Sequence, residues 1–392
     1  MSSHLHYFGM ANGCTAVALP FPLEQVMEQW GQLRLCMVRE LPPPFIRDEW
    51  GYLIAFLDRE NLQGAFTQSF GDPVATMTGP IRIMERPRGL VAVWLPNNVS
   101  LLGPLTMVLL SLTGNPIWLK GGTQSEDMSG AFLAFARQRL PSGPLKKFLI
   151  EQVRHDVFDR EDPRHREMAA KAQMRIVFGS DAAAEAIHDL PHPVGSVGFS
   201  FIDRRSEAWI EKGATTDALL RDLIKVFAIY GQAGCTSPRR VVLLVNCPSE
   251  AVDLRDRLAN LWPHVVQRQP AMHIASENIM AWQWAAALGW DARLTQQHGA
   301  VLAAGRIEFP EFNASMCLRI VSGSAEQALE SLPRNIQTVG YGLAHPGQPA
   351  WLDLLAHSGI KRLVPIPKMH QFGPVWDGHG FWRQAFEEIE IG

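Results

Sequence analysis

Four short segments hold the side chains whose types and spacing could do chemistry. In Tyr230-Gly231-Gln232-Ala233-Gly234-Cys235-Thr236-Ser237-Pro238-Arg239, a cysteine sits among glycines, a proline and small hydroxylated residues, just ahead of an apolar run. Backbone amides and hydroxyls around a sulfur can favour the thiolate, which is the nucleophilic form. The same turn also suits a cysteine used as a small hydrophobe. In Leu95-Pro96-Asn97-Asn98-Val99-Ser100-Leu101-Leu102, Asn98 stands between a strand and an apolar helix. Its NH₂ could donate to a developing oxyanion, a role worth about 3 kcal/mol where it has been removed, or it could cap the helix. Phe178-Gly179-Ser180-Asp181-Ala182 is a small-residue junction that lets a phosphate approach a helix N-terminus, and a plain capping turn reads the same way. Gly114-Asn115-Pro116-Ile117-Trp118-Leu119-Lys120 ends on a lysine at the C-terminal end of a strand. Open parallel sheets bind ligands at that end, although a lone lysine also serves as a solvated charge.

Those segments need a scaffold, and the hydrophobic pattern supplies one. Residues 90–94 read as a strand, 101–112 as an apolar helix and 117–119 as the next strand. Helical stretches follow at 128–139 and 144–154, then a strand at 174–178 and a helix to 187. A second series has a helix at 219–230, a strand at 241–245, helices at 249–261 and 276–288, and strands near 316–321, 336–340 and 362–366. Such alternation predicts parallel sheets covered by helices, the α/β class. The expected divisions are a mostly helical segment over 1–80 packing on a lobe at 81–228, a second lobe at 229–350, and a return segment at 351–392. The cleft between the lobes is the expected place for cofactor and substrate.

With 392 residues the chain is too long for one small core. Its 36 Lys+Arg and 39 Asp+Glu give a net charge of −3, which does not call for a nucleic-acid partner. The five cysteines (Cys14, Cys36, Cys235, Cys247, Cys317) are widely spaced and include no C-x-x-C. They predict neither a disulfide framework nor a metal site, and a reducing, cytoplasmic setting. From Gly89 to Leu119 no residue is charged, but the Pro and Gly breaks there predict a buried strand–helix–strand rather than a membrane span. The first residues show no export signal. Cys247 and Cys317 read as core, Glu387 and Glu388 as a solvated helix end, and the Trp- and Met-rich stretch 279–290 as core.

In this order, the four segments resemble the aldehyde-dehydrogenase superfamily. Phe178-Gly179-Ser180-Asp181, residues 232–238 and the closing Arg362-Leu363-Val364-Pro365-Ile366, Met369-His370 and Trp376-Asp377-Gly378 resemble its acyl-CoA reductase branch, the LuxC-like fatty-acid reductases. The resemblance runs from about 85 to 382. It implies an aldehyde-dehydrogenase-like α/β fold, in which the lobe at 81–228 is a Rossmann-type nucleotide-binding lobe and that at 229–350 an α/β catalytic lobe. It also implies that Cys235 is the nucleophile that takes an acyl group as a thioester. Asn98 and the Cys235 N–H would form the oxyanion hole, Lys120 would face the adenosine ribose or its phosphate, Gly179 and Ser180 would form the cofactor turn, and Glu311 would meet the nicotinamide ribose.

Two departures from the superfamily pattern narrow the expectation. The Glu-Leu-Gly-Gly segment that activates water in aldehyde oxidisers has its counterpart here in residues 192–200, which contain no carboxylate. A thioester at Cys235 would then persist until another partner reacts with it. Thr123 stands where NAD-preferring members place a glutamate. With Lys120 to attract a 2′-phosphate and no acid to repel it, NADPH becomes the expected donor. The resemblance thus implies reduction of an acyl-CoA or acyl-carrier-protein thioester to an aldehyde, an acyl-activating partner enzyme and a homo-oligomer. Oxidative CoA-acylating aldehyde dehydrogenase activity with NAD, or an inactive scaffold, are the alternatives. His370 could donate a proton or simply hydrogen-bond within a packed tail.

Overall fold

A computed structural model describes residues 6–9, 15–70, 82–97, 99, 101–123, 126–202, 204–232, 234–267, 269–312, 314–347, 349–371, 373 and 375–391. The chain forms two compact units, Met1–Ile202 with Phe372–Gly392, and Asp203–Gln371.

The first unit opens with β1 (His6–Gly9) and β2 (Thr15–Leu19), then α1 (Leu23–Met37), α2 (Arg47–Phe56), α3 (Arg59–Phe70) and β3 (Ile83–Pro87). A strand–helix series follows: β4 (Val91–Trp94), α4 (Leu102–Ser111), β5 (Ile117–Gly121), α5 (Met128–Arg139), α6 (Pro144–Glu151), β6 (Val153–Val157), α7 (Arg164–Lys171), β7 (Met174–Gly179), α8 (Asp181–His188) and β8 (Val197–Ile202). Its five strands are all parallel, in the order β6-β5-β4-β7-β8. The order reverses between β4 and β7, the kind of switch point at which doubly wound sheets open a ligand crevice. The charge-free run is explained by burial. α4 has buried residues on nearly every side, and β4 is buried along its whole length, so both are apolar throughout. Among the described residues no helix is long and apolar enough to cross a membrane.

The second unit comprises β9 (Arg205–Glu211), α9 (Asp217–Ala228), β10 (Pro238–Leu244), α10 (Pro248–Val265), α11 (Met272–Ala287), β11 (Asp291–Leu294), β12 (Val301–Arg306), β13 (Cys317–Gly323), α12 (Ala325–Glu330), β14 (Ile336–Gly342), α13 (Ala350–Ala356) and β15 (Arg362–Pro365). The sheet order is β11-β12-β13-β10-β9-β14-β15, parallel except for β11. One face packs Leu223, Phe227, Leu258 and Trp262, and the other packs Trp209, Val242, Val321 and Val339. The chain then re-enters the first unit with β16 (Phe386–Glu390), which completes a four-stranded sheet β1-β2-β3-β16.

Several expectations are corrected. The division falls at Ile202 rather than at 228, because β9 and α9 join the second unit through the pairing of β9 with β10 and β14. The 351–371 part of the expected return segment stays in the second unit as α13 and β15, and only residues from 372 onward return to the first. Glu387 and Glu388 lie in strand β16, where Arg86 Nε meets Glu387 at 2.6 Å, and not in a helix. The segment 279–290 is not wholly core, since Met280 and Trp284 of α11 are exposed.

Candidate active site

The cysteine turn is built by Gln232. Gly231 and Gln232 both adopt positive φ (58° and 61°), which bends the chain sharply between α9 and β10. A glycine takes this conformation without strain, but Gln232 must be held there. It is held by its own side chain, which is buried. The Gln232 Oε1 accepts from Cys317 N at 3.0 Å, while Nε2 donates to Cys317 O at 2.9 Å and to Pro238 O at 3.1 Å. The side-chain amide thus pairs with the first residue of β13 as a neighbouring strand would. Ser206, at the start of β9, donates from Oγ to Cys235 O at 2.6 Å. Between these two anchors Cys235 is half-buried ahead of the first residue of β10.

A second clamp acts on the next residue. His370 Nε2 lies 2.8 Å from Val226 O, and Nδ1 lies 2.6 Å from Thr236 Oγ1. A carbonyl can only accept, so Nε2 carries the proton and Nδ1 accepts from the Thr236 hydroxyl. Burial, with Arg362 nearby adding to it, pushes the His370 pKa down to about 4 against the opposing hydrogen bond to Val226. The ring is therefore neutral at physiological pH, and its one proton is committed to a backbone carbonyl. His370 packs and hydrogen-bonds rather than standing as an acid. The other cysteines differ in setting. Cys317 is buried, and its thiol is pushed up to about 12 by desolvation. Cys247 is not in a strand but precedes α10, half-buried, with Sγ 3.2 Å from Ser249 Oγ.

Glu311 lies between β12 and β13, and its carboxylate is shared by Arg205 at 2.7 Å and Arg319 at 2.9 Å. The two guanidinium groups hold its pKa down, overcoming the opposing effect of burial. In the first unit, Lys120 sits on β5 with Nζ 5.8 Å from the Phe158 ring centroid. Burial lowers its pKa, and Asp159 partly offsets this. Thr123 is exposed in the turn beyond β5. Gly179 ends β7 beside the switch point, and Ser180 caps α8 by accepting from Ala183 N at 3.3 Å. A Cβ built on Gly179 would meet only Ala183, at 3.6 Å. The junction therefore has room for a bound group, and with Lys120 it fits the phosphate and ribose end of a dinucleotide. Asn98 lies outside the described residues.

The structure thus brings Cys235, Gln232, Ser206, Thr236 and His370 together in the second unit, and Lys120, Gly179 and Ser180 around the C-terminal ends of β5 and β7 in the first. Ser206 is the member that sequence alone does not single out. It lies in Arg204-Arg205-Ser206-Glu207, which reads as polar surface. Gln232 was visible as part of the motif, but its anchoring role depends on Cys317, 85 residues away.

Comparison with known proteins gives the family and the fold. A family model described as acyl-CoA reductase (LuxC) matches residues 51–381. Among solved structures, lactaldehyde dehydrogenase from Escherichia coli superposes with a TM-score of 0.59 and 12% identity, covering 95% of this chain and 87% of that one. An aldehyde dehydrogenase C variant from Pseudomonas syringae, complexed with NAD⁺ and octanal, gives 0.62 and 12%, with 95% and 84% covered. The 1-pyrroline-5-carboxylate dehydrogenase of Thermus with bound NAD gives 0.62 and 11%, with 95% and 81% covered. These likenesses show the aldehyde-dehydrogenase fold. No curated protein matches the chain by sequence.

Proposed function

Because the chain belongs to the acyl-CoA reductase (LuxC) family, an oxidoreductase family acting at the aldehyde or oxo level, we propose that it reduces an acyl thioester to an aldehyde with NADPH, through an acyl group carried on Cys235. The observation that carries the reading is the built turn. A half-buried cysteine is fixed at the start of β10 by Ser206 and by the Gln232 amide, which is what a nucleophile needs to be positioned.

In this reading the Cys235 sulfur attacks the thioester carbonyl, the carrier thiol leaves, and the acyl group remains on Sγ. Asn98 and the Cys235 N–H are the proposed donors to the oxyanion. When bound, the reduced nicotinamide supplies the hydride that brings the acyl carbon to the aldehyde level. Lys120, Gly179 and Ser180 are the proposed holders of the cofactor. The exposed Thr123, in place of an acid in the turn beyond β5, supports the phosphorylated form, with Lys120 as the partner of its extra phosphate. Glu311 is proposed to meet the nicotinamide ribose through a carboxylate already oriented by two arginines. Collapse of the reduced adduct breaks the carbon–sulfur bond, releases the aldehyde and returns Cys235 as the thiolate.

The test is NADPH oxidation with acyl-CoA substrates, alongside mass spectrometry of the acylated protein. Cys235→Ala is expected to lose at least 10³-fold in turnover and to show no acyl adduct. Full reductase activity in that variant would remove the covalent route, and faster turnover with NADH than with NADPH would remove the cofactor assignment.

A further inference from the structure

The edge of the second unit that carries Cys235 also carries a row of cations with no role in the chemistry above. Strands β9, β10, β13, β14 and β15 are parallel, so all begin at this edge. Hydrogen bonds fix the order along it. Cys235 O, before β10, accepts from Ser206 of β9. Arg205 N of β9 donates to Asn335 O, before β14, at 3.1 Å, and Lys361 N, before β15, donates to Gln337 O of β14 at 3.1 Å. Arg334 and Lys361 therefore stand at the starts of the second and third strands away from the cysteine, and both are exposed. Among the described residues neither enters an ion pair. Lys368, also exposed, is drawn back toward the start of β15 because the Arg362 guanidinium donates to the carbonyls of Lys368, Met369 and Gln371. Among the described residues, the carboxylate of Glu311 near this edge is already shared by two arginines, and Glu330 stands at the end of α12. A chain with net charge −3 thus presents a positive margin beside its cysteine.

Spacing says what that margin could hold. At about 4.8 Å per strand, the starts of β14 and β15 lie roughly 10 and 14 Å from that of β10. A pantetheine arm has about thirteen bonds between its sulfur and its phosphate, or roughly 15 Å when extended at the per-bond rise of an extended chain. With the thioester at Cys235 and the arm lying along the sheet edge, the phosphate reaches Arg334 and Lys361. We propose that these two residues, with Lys368 beside them, bind the phosphate of the 4′-phosphopantetheine arm that delivers the acyl group. The arm is common to coenzyme A and acyl carrier protein, and an arginine with lysines is a chemically apt phosphate partner. The proposal rests on the thioester-reductase reading and deepens it.

The experiment uses the whole chain and one acyl group on three carriers: coenzyme A, acyl carrier protein, and pantetheine without phosphate. In Arg334→Ala/Lys361→Ala, kcat/KM for a phosphate-bearing carrier relative to that for acyl-pantetheine is expected to fall about tenfold. The loss should lie in KM, and Arg334→Lys/Lys361→Arg should recover most of it. Raised ionic strength should shrink the native preference for the phosphate-bearing carrier. The carrier with the higher native kcat/KM identifies the source of the arm. An unchanged ratio, or an equal loss on acyl-pantetheine, would overturn the assignment. If the native protein reduces acyl-pantetheine but not the others faster, the phosphate site is likewise refuted. Failure of the native protein to reduce any thioester would instead strike the functional reading itself.

Discussion

His370 shows how a side chain with catalytic credentials can be committed elsewhere. Its proton is given to Val226 O and its lone pair takes the Thr236 hydroxyl, so it secures the residue next to Cys235. The consequence is measurable. A histidine whose pKa falls from the usual 6.5 to about 4 on folding binds fewer protons folded than unfolded between those values. Its stabilising contribution is then complete above about pH 6.5, declines as the pH falls toward 4, and is constant below that. The full swing is up to about 3 kcal/mol, at 1.36 kcal/mol per pKa unit. Urea unfolding at pH 7.5 and 4.5 should show a larger acid loss in the native protein than in His370→Gln. Parallel losses in the two proteins would show that the ring titrates normally. At this scale the sequence was partly legible. The turn that holds Cys235 is marked by its glycines and small neighbours, and the setting of His370 is not, because its partners lie 134 and 144 residues away.

Among the elements, the centre of the second sheet is unusual in holding a buried ion pair. Arg240 of β10 stands directly opposite Glu207 of β9 in the parallel register. Arg240 Nη2 donates to Glu207 Oε2 at 3.0 Å, Nε lies 2.9 Å from Oε1 without hydrogen-bond geometry, and Trp209 Nε1 donates to the same carboxylate at 3.0 Å. Both side chains are almost fully buried, 4% and 2% exposed. Removing one partner strands the other charge in the interior, a loss of about 3–5 kcal/mol. Glu207→Ala should be destabilised by that amount in urea, and Glu207→Leu/Arg240→Leu by distinctly less, since the double variant leaves no orphan charge. A Glu207→Ala protein within about 1 kcal/mol of the native one would contradict this account. The pair also explains why β9 was invisible in the sequence. Arg204-Arg205-Ser206-Glu207 reads as solvated polar chain, whereas β10, with its Val241–Leu244 run, declares itself. A strand whose polar residue is neutralised by a neighbour cannot be recognised until the neighbour is known.

For the molecule as a whole, the second unit is an excursion of the chain out of the first, leaving after Ile202 and ending at Gln371. A return segment was expected over 351–392, but no local pattern could show that only residues from 372 onward complete the earlier body, because the partners they meet are remote. Trp382 is fully buried, donates to Leu109 O at 2.9 Å, and meets Phe66 and Phe70 edge-on at 5.5 Å. Phe386 packs on Phe70, Arg88 donates to Gln384 O and Phe386 O, and Asn115 donates to Ala385 O. β16 covers an edge of β3 over five residue pairs. All of these partners belong to the first unit. A chain ending at Gln371 should therefore lose the stability of residues 1–202, while the strand order and both cores of 203–371 are left intact. Limited proteolysis should then convert the truncated protein to a resistant fragment close to 203–371, with 1–202 digested. Trp382→Ala in the full chain should reproduce part of the effect, about 3–5 kcal/mol from loss of a buried tryptophan. If residues 1–202 resist protease as well without the tail as with it, the tail is not part of that unit's fold. The separate digestion of the two units would also show that they unfold as independent cooperative bodies.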